Sequence, residues 1–214
     1  EITVEEMLQY SAQCLKQEEE LWKELNIGNN IKAIPEFVKV LYNYFESEVF
    51  MKNITILGGG VLGSQIAFQT CYCGYNVTIY LRSKESVKRC KKKLEDVKKS
   101  YIDAINMMKK DKDINTWSLG IADFDKFNAS KSLKIVEEVL NKINFEIDLE
   151  KSVCDADLVI ESMSEDFEAK KEIYQRIASL LPEKTILVTN SSTMLPSKLA
   201  KFTKREDKFL ALHF

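Results

Sequence analysis

The stretch Asn53-Ile-Thr-Ile-Leu-Gly-Gly-Gly-Val-Leu-Gly63 decides the fold of this chain. It opens with Ile54–Leu57, a short apolar and largely β-branched run of the kind that forms a buried parallel strand. Gly58, Gly60 and Gly63 follow on the spacing G-x-G-x-x-G. After a strand, such glycines permit a sharp turn, the approach of a ligand to bare backbone, and close packing of the next helix. A glycine-rich turn without a ligand is the alternative interpretation.

The residues after the glycines favour a nucleotide site over a plain turn. Ile66, Ala67 and Thr70 continue at helical spacing, so a helix is predicted from about Val61 to Gly74. Its free N–H groups and the positive end of its dipole would attract an anion. The predicted site for the pyrophosphate of a dinucleotide therefore consists of Gly58, Gly60, Val61, Leu62 and Gly63.

The second strand bears on which dinucleotide is expected. Asn76–Tyr80 is predicted to be a strand, whose end in such units presents an acidic residue to the adenosine ribose, about 20 residues past the glycines. Here the strand is followed by Leu81-Arg82-Ser83, with no carboxylate. An arginine beside a hydroxyl residue suits a 2′-phosphate, so the local sequence favours NADP. The alternatives are that Arg82 is solvated, or that it only stacks on the adenine.

Further along the chain, strands and helices alternate. This order predicts an α/β fold of the Rossmann type, a doubly wound parallel sheet. The charged segment at about 84–141 is expected to form an inserted helical arm, whose lysine runs are either a solvated face or contacts for an anionic substrate tail. Helices are predicted at 86–112, 130–141 and 167–181, and strands at 157–161, 185–189 and 209–212.

Polar residues follow several of these strands. Because ligands of doubly wound sheets bind at the carboxyl ends of the strands, one edge should gather the glycine turn, Glu161–Glu165 and Asn190–Ser192. The last strand would bring His213 to the same edge. His213 is the single histidine of the chain. A lone histidine is usually structural, but at this position it is a candidate general base.

The composition excludes several classes of function. The chain has 214 residues, 45% hydrophobic and 30% charged, and its formal net charge of −2 does not predict binding to nucleic acid or to an anionic membrane. No apolar run approaches the roughly 18 residues of a membrane span. The five cysteines include no C-x-x-C pair, which suggests reduced thiols and a cytoplasmic location, and no metal site is predicted.

Residues 1–50 are predicted to form a helical extension of unknown role, with a domain boundary near residue 50. They would be a docking hairpin, a helical pair packed on the next domain, or the tail of an upstream module. The chain starts at Glu1 rather than Met and stops at Phe214 within an apolar run, so we expect it to be a fragment.

Residues 52–214 resemble the NAD-binding domain of L-3-hydroxyacyl-CoA dehydrogenases. The resemblance rests on Gly58–Gly63, Asp155–Glu161, Glu165, Lys170, Asn190–Ser192 and Leu212–Phe214. It implies that Ser192 binds the 3-hydroxyl or 3-keto oxygen and that His213 is the catalytic base. It also implies that Glu165 and Asn190 line the cofactor, with Lys170 nearby.

The resemblance implies an enzyme of fatty acid β-oxidation that interconverts (S)-3-hydroxyacyl-CoA and 3-ketoacyl-CoA with NAD, and that dimerises through a C-terminal helical domain absent from this chain. The aspartate with which this family binds the ribose falls on Leu81, which puts the preference for NAD in doubt. The glutamate that pairs with the family's histidine would lie beyond Phe214, so the chain alone is expected to be a poor catalyst. The alternatives are a dehydrogenase of a free L-3-hydroxy acid such as L-gulonate, and a catalytically dead dinucleotide-binding module.

Overall fold

The computed structural model describes residues 51–111 and 117–214. Within these ranges Met51–Phe214 is one compact unit. The predicted helical extension at 1–50 lies outside the described residues, and the domain boundary near residue 50 stays a prediction.

Six parallel strands form one sheet in the order β3-β2-β1-β4-β5-β6. The strands are β1 (Asn53–Leu57), β2 (Asn76–Tyr80), β3 (Asn144–Glu146), β4 (Leu158–Glu161), β5 (Ile186–Thr189) and β6 (Phe209–Ala211). The helices are α1 (Val61–Tyr72), α2 (Lys84–Lys110), α3 (Ala129–Lys142), α4 (Leu149–Val153), α5 (Phe167–Ile177) and α6 (Pro196–Ala200). A short 3₁₀ turn, Glu206–Lys208, precedes β6. This is the doubly wound arrangement that the alternating pattern predicts.

Helices cover both faces of the sheet, and the two faces have separate cores. Side chains alternate along a strand, so Ile56 of β1 packs with α1, α2 and α3 while its neighbour Leu57 packs with α5 and β6. Phe68 is completely buried on the first face, and Tyr174 is completely buried on the second. Burial on both faces explains why the central strands are mainly apolar instead of alternating regularly with exposed polar residues.

The order of the strands determines where the ligand crevice lies. β1 pairs with β2 on one side and with β4 on the other, so the chain reverses its direction of winding between β1 and β4. Doubly wound sheets bind ligands at this switch point, beyond the carboxyl ends of the strands. The glycine turn after β1 lies there.

The inserted helical arm is present between β2 and β3. Ser83 caps α2 by accepting a hydrogen bond from the backbone N–H of Ser86, and α2 begins two residues earlier than predicted, at Lys84. Asn128 caps α3 in the same way, through the N–H of Lys131. Because each cap satisfies an N–H that the helix cannot, it sets the residue at which the helix begins.

Helix ends differ modestly from the predictions. α1 ends at Tyr72, and Gly74, with φ +97°, closes the turn after it. α5 ends at Ile177 instead of continuing to Leu181, which precedes Pro182 and is therefore disfavoured in a helix. The sequence analysis did not identify β3 or α4. None of the helices in the described ranges has the length and apolar character to cross a bilayer.

Candidate dinucleotide-binding and catalytic site

Glycine stands at each of the three motif positions for a different structural reason. Gly58 has φ +110°, and a Cβ there would lie 2.6 Å from the carbonyl oxygen of Ser162. A Cβ on Gly63 would lie 2.2 Å from the carbonyl oxygen of Gly58. A Cβ on Gly60 would meet nothing within 4 Å. Gly58 and Gly63 are therefore required by the fold itself, while Gly60 leaves open space above bare backbone, which fits the approach of a pyrophosphate.

Gly59 is also constrained, for a reason that the motif does not contain. A Cβ at Gly59 would lie 2.6 Å from Sγ of Cys90 and 2.8 Å from Cδ2 of Leu81. Cys90 is fully buried on α2, and burial raises the pKa of its thiol despite the contact with Ser64 and the charge of Lys93. The thiol therefore packs under the glycine turn as a small apolar group.

A cleft of about 330 Å³ opens beside the glycine turn. Its walls come from the turn itself, the end of β2, the loop after β4, the first half of α2, and α5. Its charged residues are Arg82, Arg89, Lys93, Glu172 and Arg176. The single carboxylate of this set, Glu172, lies 3.6 Å from the guanidinium of Arg176. The cleft therefore favours an anionic ligand.

The end of β2 supplies the part of the cleft where a ribose is expected. Leu81 is only 5% exposed and faces Gly59, whereas Arg82 is exposed. On α2, Nη2 of Arg89 donates to Oγ of Ser86 at 3.0 Å, and this hydroxyl lies 3.2 Å from that of Ser83. A second guanidinium, that of Arg89, and the hydroxyl of Ser86 thus line the same cleft as Arg82.

The carboxyl ends of β5 and β6 hold the predicted catalytic residues. Ser192 and His213 are both exposed. Asn190 is 8% exposed, and its Oδ1 accepts the backbone N–H of Phe214 at 3.0 Å. This bond ties the segment of His213 to the loop of Ser192, so the two residues share one edge of the sheet.

Glu165 contacts this loop, and Lys170 lies close to Glu165. Oε2 of Glu165 accepts the hydroxyls of Ser191 at 2.6 Å and Thr193 at 2.9 Å, and Nζ of Lys170 lies 3.8 Å from Oε1. Partial burial opposes ionisation of Glu165, but the two hydroxyl bonds and the ammonium outweigh it and lower the pKa of this carboxyl. Lys170 is only 1% exposed, so it acts on the site through carboxylates.

A groove of about 340 Å³ runs between α1 and α2 near the end of β6. Leu62 and Ile66 of α1, Val97 and Tyr101 of α2, and Phe214 contribute to its mainly apolar walls. Phe214, which lines the groove, directly follows His213 in the sequence. Among the described residues, no His, Cys, Asp or Glu side chains group in threes as metal ligands would.

Comparison with known proteins identifies the family. Residues 53–214 match the family described as "3-hydroxyacyl-CoA dehydrogenase, NAD binding domain". The chain belongs to this family. Residues 53–214 are therefore a dinucleotide-binding domain of an oxidoreductase family, as the motif resemblance implied.

The hydroxyacyl-CoA dehydrogenase relatives extend well beyond this chain. The mitochondrial hydroxyacyl-coenzyme A dehydrogenase of Rattus norvegicus is 26% identical over 167 residues, which are 78% of this chain and 47% of that protein. The 3-hydroxybutyryl-CoA dehydrogenase of Clostridioides difficile is 28% identical over 162 residues, 76% of this chain and 49% of that protein. The chain thus spans about half the length of the curated relatives it matches.

Solved structures agree on the family fold. A diketoreductase of dicarbonyl compounds is 39% identical, with a TM-score of 0.60 over 77% of this chain and 50% of that one. The (S)-3-hydroxybutyryl-CoA dehydrogenase of Ralstonia eutropha is 25% identical, with a TM-score of 0.58 over the same shares.

The predicted site residues of this hydroxyacyl-CoA dehydrogenase domain fall into separate groups. Gly58, Gly60 and Arg82 line the charged cleft, and Leu62 lines the apolar groove. The remaining predicted residues line neither the cleft nor the groove: Val61, Gly63, Glu165, Lys170, Asn190, Ser192 and His213. Sequence reasoning missed Arg89, Lys93 and Arg176. The helical spacing of Ser83, Ser86 and Arg89 could have indicated Arg89, but no sequence signal places Arg176 of α5 at the cleft.

Proposed function

We propose that the protein containing this chain interconverts (S)-3-hydroxyacyl-CoA and 3-ketoacyl-CoA with a nicotinamide dinucleotide. The observation that carries the proposal is the hydrogen bond that the backbone N–H of Phe214 donates to Oδ1 of Asn190, which joins the segment of His213 to the loop of Ser192. A hydrogen-bonding hydroxyl and a single imidazole thereby share the edge at which this fold binds ligands. The apolar groove that ends at Phe214 supports an elongated substrate.

In the proposed reaction His213 is the general base. Its imidazole removes the proton of the substrate hydroxyl, while the hydroxyl of Ser192 holds the oxygen and stabilises the charge that develops there. A dinucleotide held along the glycine turn would supply the acceptor for the hydride of C3. Gly60 and the first turn of α1 would hold the pyrophosphate of the dinucleotide. His213 and Ser192 are both exposed, so a substrate can reach them.

Replacement of His213 by alanine tests the proposal. Loss of a positioned base should lower turnover by on the order of 100- to 10,000-fold. Affinity for the dinucleotide should not change, because His213 lies outside the charged cleft. Steady-state kinetics on the intact protein and calorimetric titration measure the two quantities. Turnover like that of the wild type would remove His213 from the mechanism.

We propose that NADP is the preferred cofactor. Arg82 and Arg89, with the hydroxyls of Ser83 and Ser86, stand at the end of β2 where NAD-binding units carry a carboxylate. Leu81, in the position of the family's ribose-binding aspartate, is buried against Gly59 and cannot accept a ribose hydroxyl. NAD remains the expectation from the family.

Separate titrations with NADPH and NADH distinguish the two cofactors. Arg82→Ala and Arg89→Ala should each weaken NADPH binding by about 10- to 100-fold, as expected for a charged hydrogen bond of about 1.5–3 kcal/mol. Neither variant should alter NADH binding. Lys88→Ala is the matched control, since Lys88 is an exposed cation on the same helix that does not line the cleft. Tighter NADH binding that is insensitive to Arg82→Ala would assign NAD.

A dehydrogenase or reductase that uses no CoA is the second candidate. The observation in its favour is the 39% identity to a diketoreductase of dicarbonyl compounds, higher than the 26% and 28% identity to the rat and Clostridioides relatives. Inhibition by free CoA discriminates the two, because only an enzyme that binds a CoA thioester should be inhibited competitively.

The homodimer and the cytoplasmic location expected from the sequence stay predictions. The four cysteines among the described residues, Cys71, Cys73, Cys90 and Cys154, are free thiols, which agrees with a reducing compartment. Light scattering of the intact protein would test the dimer.

A further inference from the structure

Three consecutive lysines occur in α2, Lys91–Lys93, and the structure gives each of them a different environment. Nζ of Lys91 lies 5.0 Å from the ring centroid of Phe145 on β3. Lys92 is exposed, whereas Lys93 is half-buried and lines the charged cleft. The run is therefore not a uniform solvated face, and Lys93 is the member that lines the cleft.

The packing of α2 holds Lys93 beside the glycine turn. Cys90, one helical turn earlier, is so close to the turn that a Cβ on Gly59 would lie 2.6 Å from its Sγ. Nζ of Lys93 donates to the carbonyl oxygen of Gly59 at 3.4 Å. This bond is long, and an ammonium has three N–H donors, so Lys93 can donate to a further acceptor. Among the described residues Lys93 forms no ion pair with a carboxylate.

The residues of α2 that line the cleft are Ser86, Arg89 and Lys93. Their spacing of three and four residues places them on one face of the helix. Seven residues of an α-helix extend about 10 Å, so this face runs from Ser86 to the glycine turn. Arg89 belongs to the ribose end of the face through its bond to Ser86, and Lys93 belongs to the end that contacts Gly59.

The glycine turn by itself offers only dipoles to an anion. α1 has no acidic residue in its first turn and no side-chain cap at Gly60, so its first N–H groups have no side-chain acceptor. The pyrophosphate of a dinucleotide carries negative charge on both phosphates, and the carbonyl oxygen of Gly59 presents a partial negative charge at the same turn. An ammonium bound to that oxygen offsets the repulsion and supplies a charge-assisted contact.

We propose that Lys93 binds the pyrophosphate of the dinucleotide, as a cation that α2 adds to the backbone contacts of the glycine motif. Lysine binds phosphate as a point charge, so the contact requires no fixed orientation of the phosphate. The proposal rests on the proposed function for the presence of a dinucleotide in the cleft. It depends neither on the preference for NADP nor on the reaction at His213. The face of α2 is thereby divided, with Arg89 at the ribose phosphate of NADP and Lys93 at the pyrophosphate that both dinucleotides share.

Ligands that carry only one of these phosphate groups separate the two ends of the face. ADP contains the pyrophosphate, and adenosine 2′-monophosphate contains the ribose phosphate alone. In Lys93→Met the affinities for ADP, NADH and NADPH should fall by the same factor, about 10- to 100-fold, as expected when a charged hydrogen bond is lost. The affinity for adenosine 2′-monophosphate should change by less than about threefold, because salt screens charges that lie roughly 8–10 Å apart. Arg89→Ala should show the reverse pattern and spare ADP and NADH.

Lys92→Met is the matched control, since Lys92 is the preceding residue of the same helix, is exposed and does not line the cleft. It removes the same charge from the domain and should leave all four affinities unchanged. Methionine keeps the apolar stem of the lysine side chain, so Lys93→Met should change Tm by less than about 3 °C. Loss of affinity without loss of stability distinguishes a phosphate contact from a structural role at Gly59. The affinity for ADP should also depend less steeply on salt in Lys93→Met than in the wild type.

Calorimetric titration of the intact protein and its variants decides between the outcomes. Wild-type affinity for ADP and NADH in Lys93→Met would overturn the proposal and leave the dinucleotide site intact. An equal loss in Lys92→Met would reduce the effect to the general charge of α2 and would overturn it as well. Weaker binding of adenosine 2′-monophosphate, but not of ADP, would assign Lys93 to the ribose phosphate instead.

Failure of the proposed function gives a different result. If the wild type binds none of the four ligands, the dinucleotide site fails and the role of Lys93 fails with it. If the wild type binds dinucleotides but shows no dehydrogenase turnover, the proposed reaction is refuted, while the affinities of Lys93→Met still decide the role of Lys93.

Discussion

Replacing Gly60 and Gly63 by alanine, one at a time, separates the two uses of the glycine turn. A Cβ on Gly63 would lie 2.2 Å from the carbonyl oxygen of Gly58, closer than any ordinary contact, and the obstacle is backbone that cannot rotate away. Overpacking of this kind costs about 1–3 kcal/mol. For a domain of this size 1 kcal/mol lowers Tm by roughly 2–4 °C, so Gly63→Ala should lower Tm by about 2–12 °C.

Gly60→Ala should behave in the opposite way. Gly60 has φ −66° and ψ −169°, which alanine adopts freely, and its Cβ would meet no atom within 4 Å. The free energy of unfolding should therefore change by less than about 1 kcal/mol. The same methyl group would stand where the pyrophosphate approaches, so affinity for NADPH and NADH should fall at least about tenfold.

Circular dichroism melting and calorimetric titration of the two variants measure these effects. Gly74→Ala is the control, because Gly74, which has a positive φ of +97° as Gly58 does, lies away from the site with open space around it. It should cost about 1 kcal/mol through backbone strain and leave cofactor affinity intact. Wild-type affinity in Gly60→Ala would refute the assignment of the pyrophosphate site, and a wild-type Tm in Gly63→Ala would refute the packing argument.

Three further predictions concern the groups around the site and the sheet. Asn190→Ala removes the acceptor of the Phe214 N–H and should lower kcat by about 10- to 100-fold; normal kcat would contradict it. Tyr174→Phe removes a donor to buried Glu161 and should cost about 1–3 kcal/mol in urea unfolding, whereas a change within error would show the bond to be dispensable. Burial opposes ionisation of Asp157, but a lysine ammonium and two backbone N–H groups outweigh it and lower its pKa below the ordinary 3.8. The stabilisation from ionised Asp157 should be complete above that value and decline as pH falls through the lowered pKa. Asp157→Asn should therefore reduce the slope of the free energy of unfolding against pH in this range. An unchanged slope would mean that other groups cause it.

Local pattern was sufficient for most of the secondary structure. β2 has the predicted bounds, Asn76–Tyr80, because a short apolar run between a glycine and a polar segment has few alternatives. The strand β3 was missed because it has three residues, none of them fully buried, and lies at the edge of the sheet. Only its pairing with β2 makes it a strand. The short helix α4 likewise lacks the length that periodicity needs.

The close packing at Gly63 was also predictable, since it depends on Gly58, a residue nearby in the chain. Gly58 and Gly63 contact each other across five residues, and this is what their spacing encodes. The constraint on Gly59 could not be predicted, because it comes from Cys90, on another helix.

The sequence by itself determined the class of fold, the alternation of its longer strands and helices, the glycine turn, and the presence of Ser192 and His213 after strands. These features depend on short-range patterns that the chain encodes locally. The tertiary structure alone decided that Arg89 and Arg176 join Arg82 around one cleft, and that Lys170 is buried between Glu161 and Glu165. The physical reason is that charge and burial depend on neighbours brought together from different helices and strands, and no spacing along the chain records such distances.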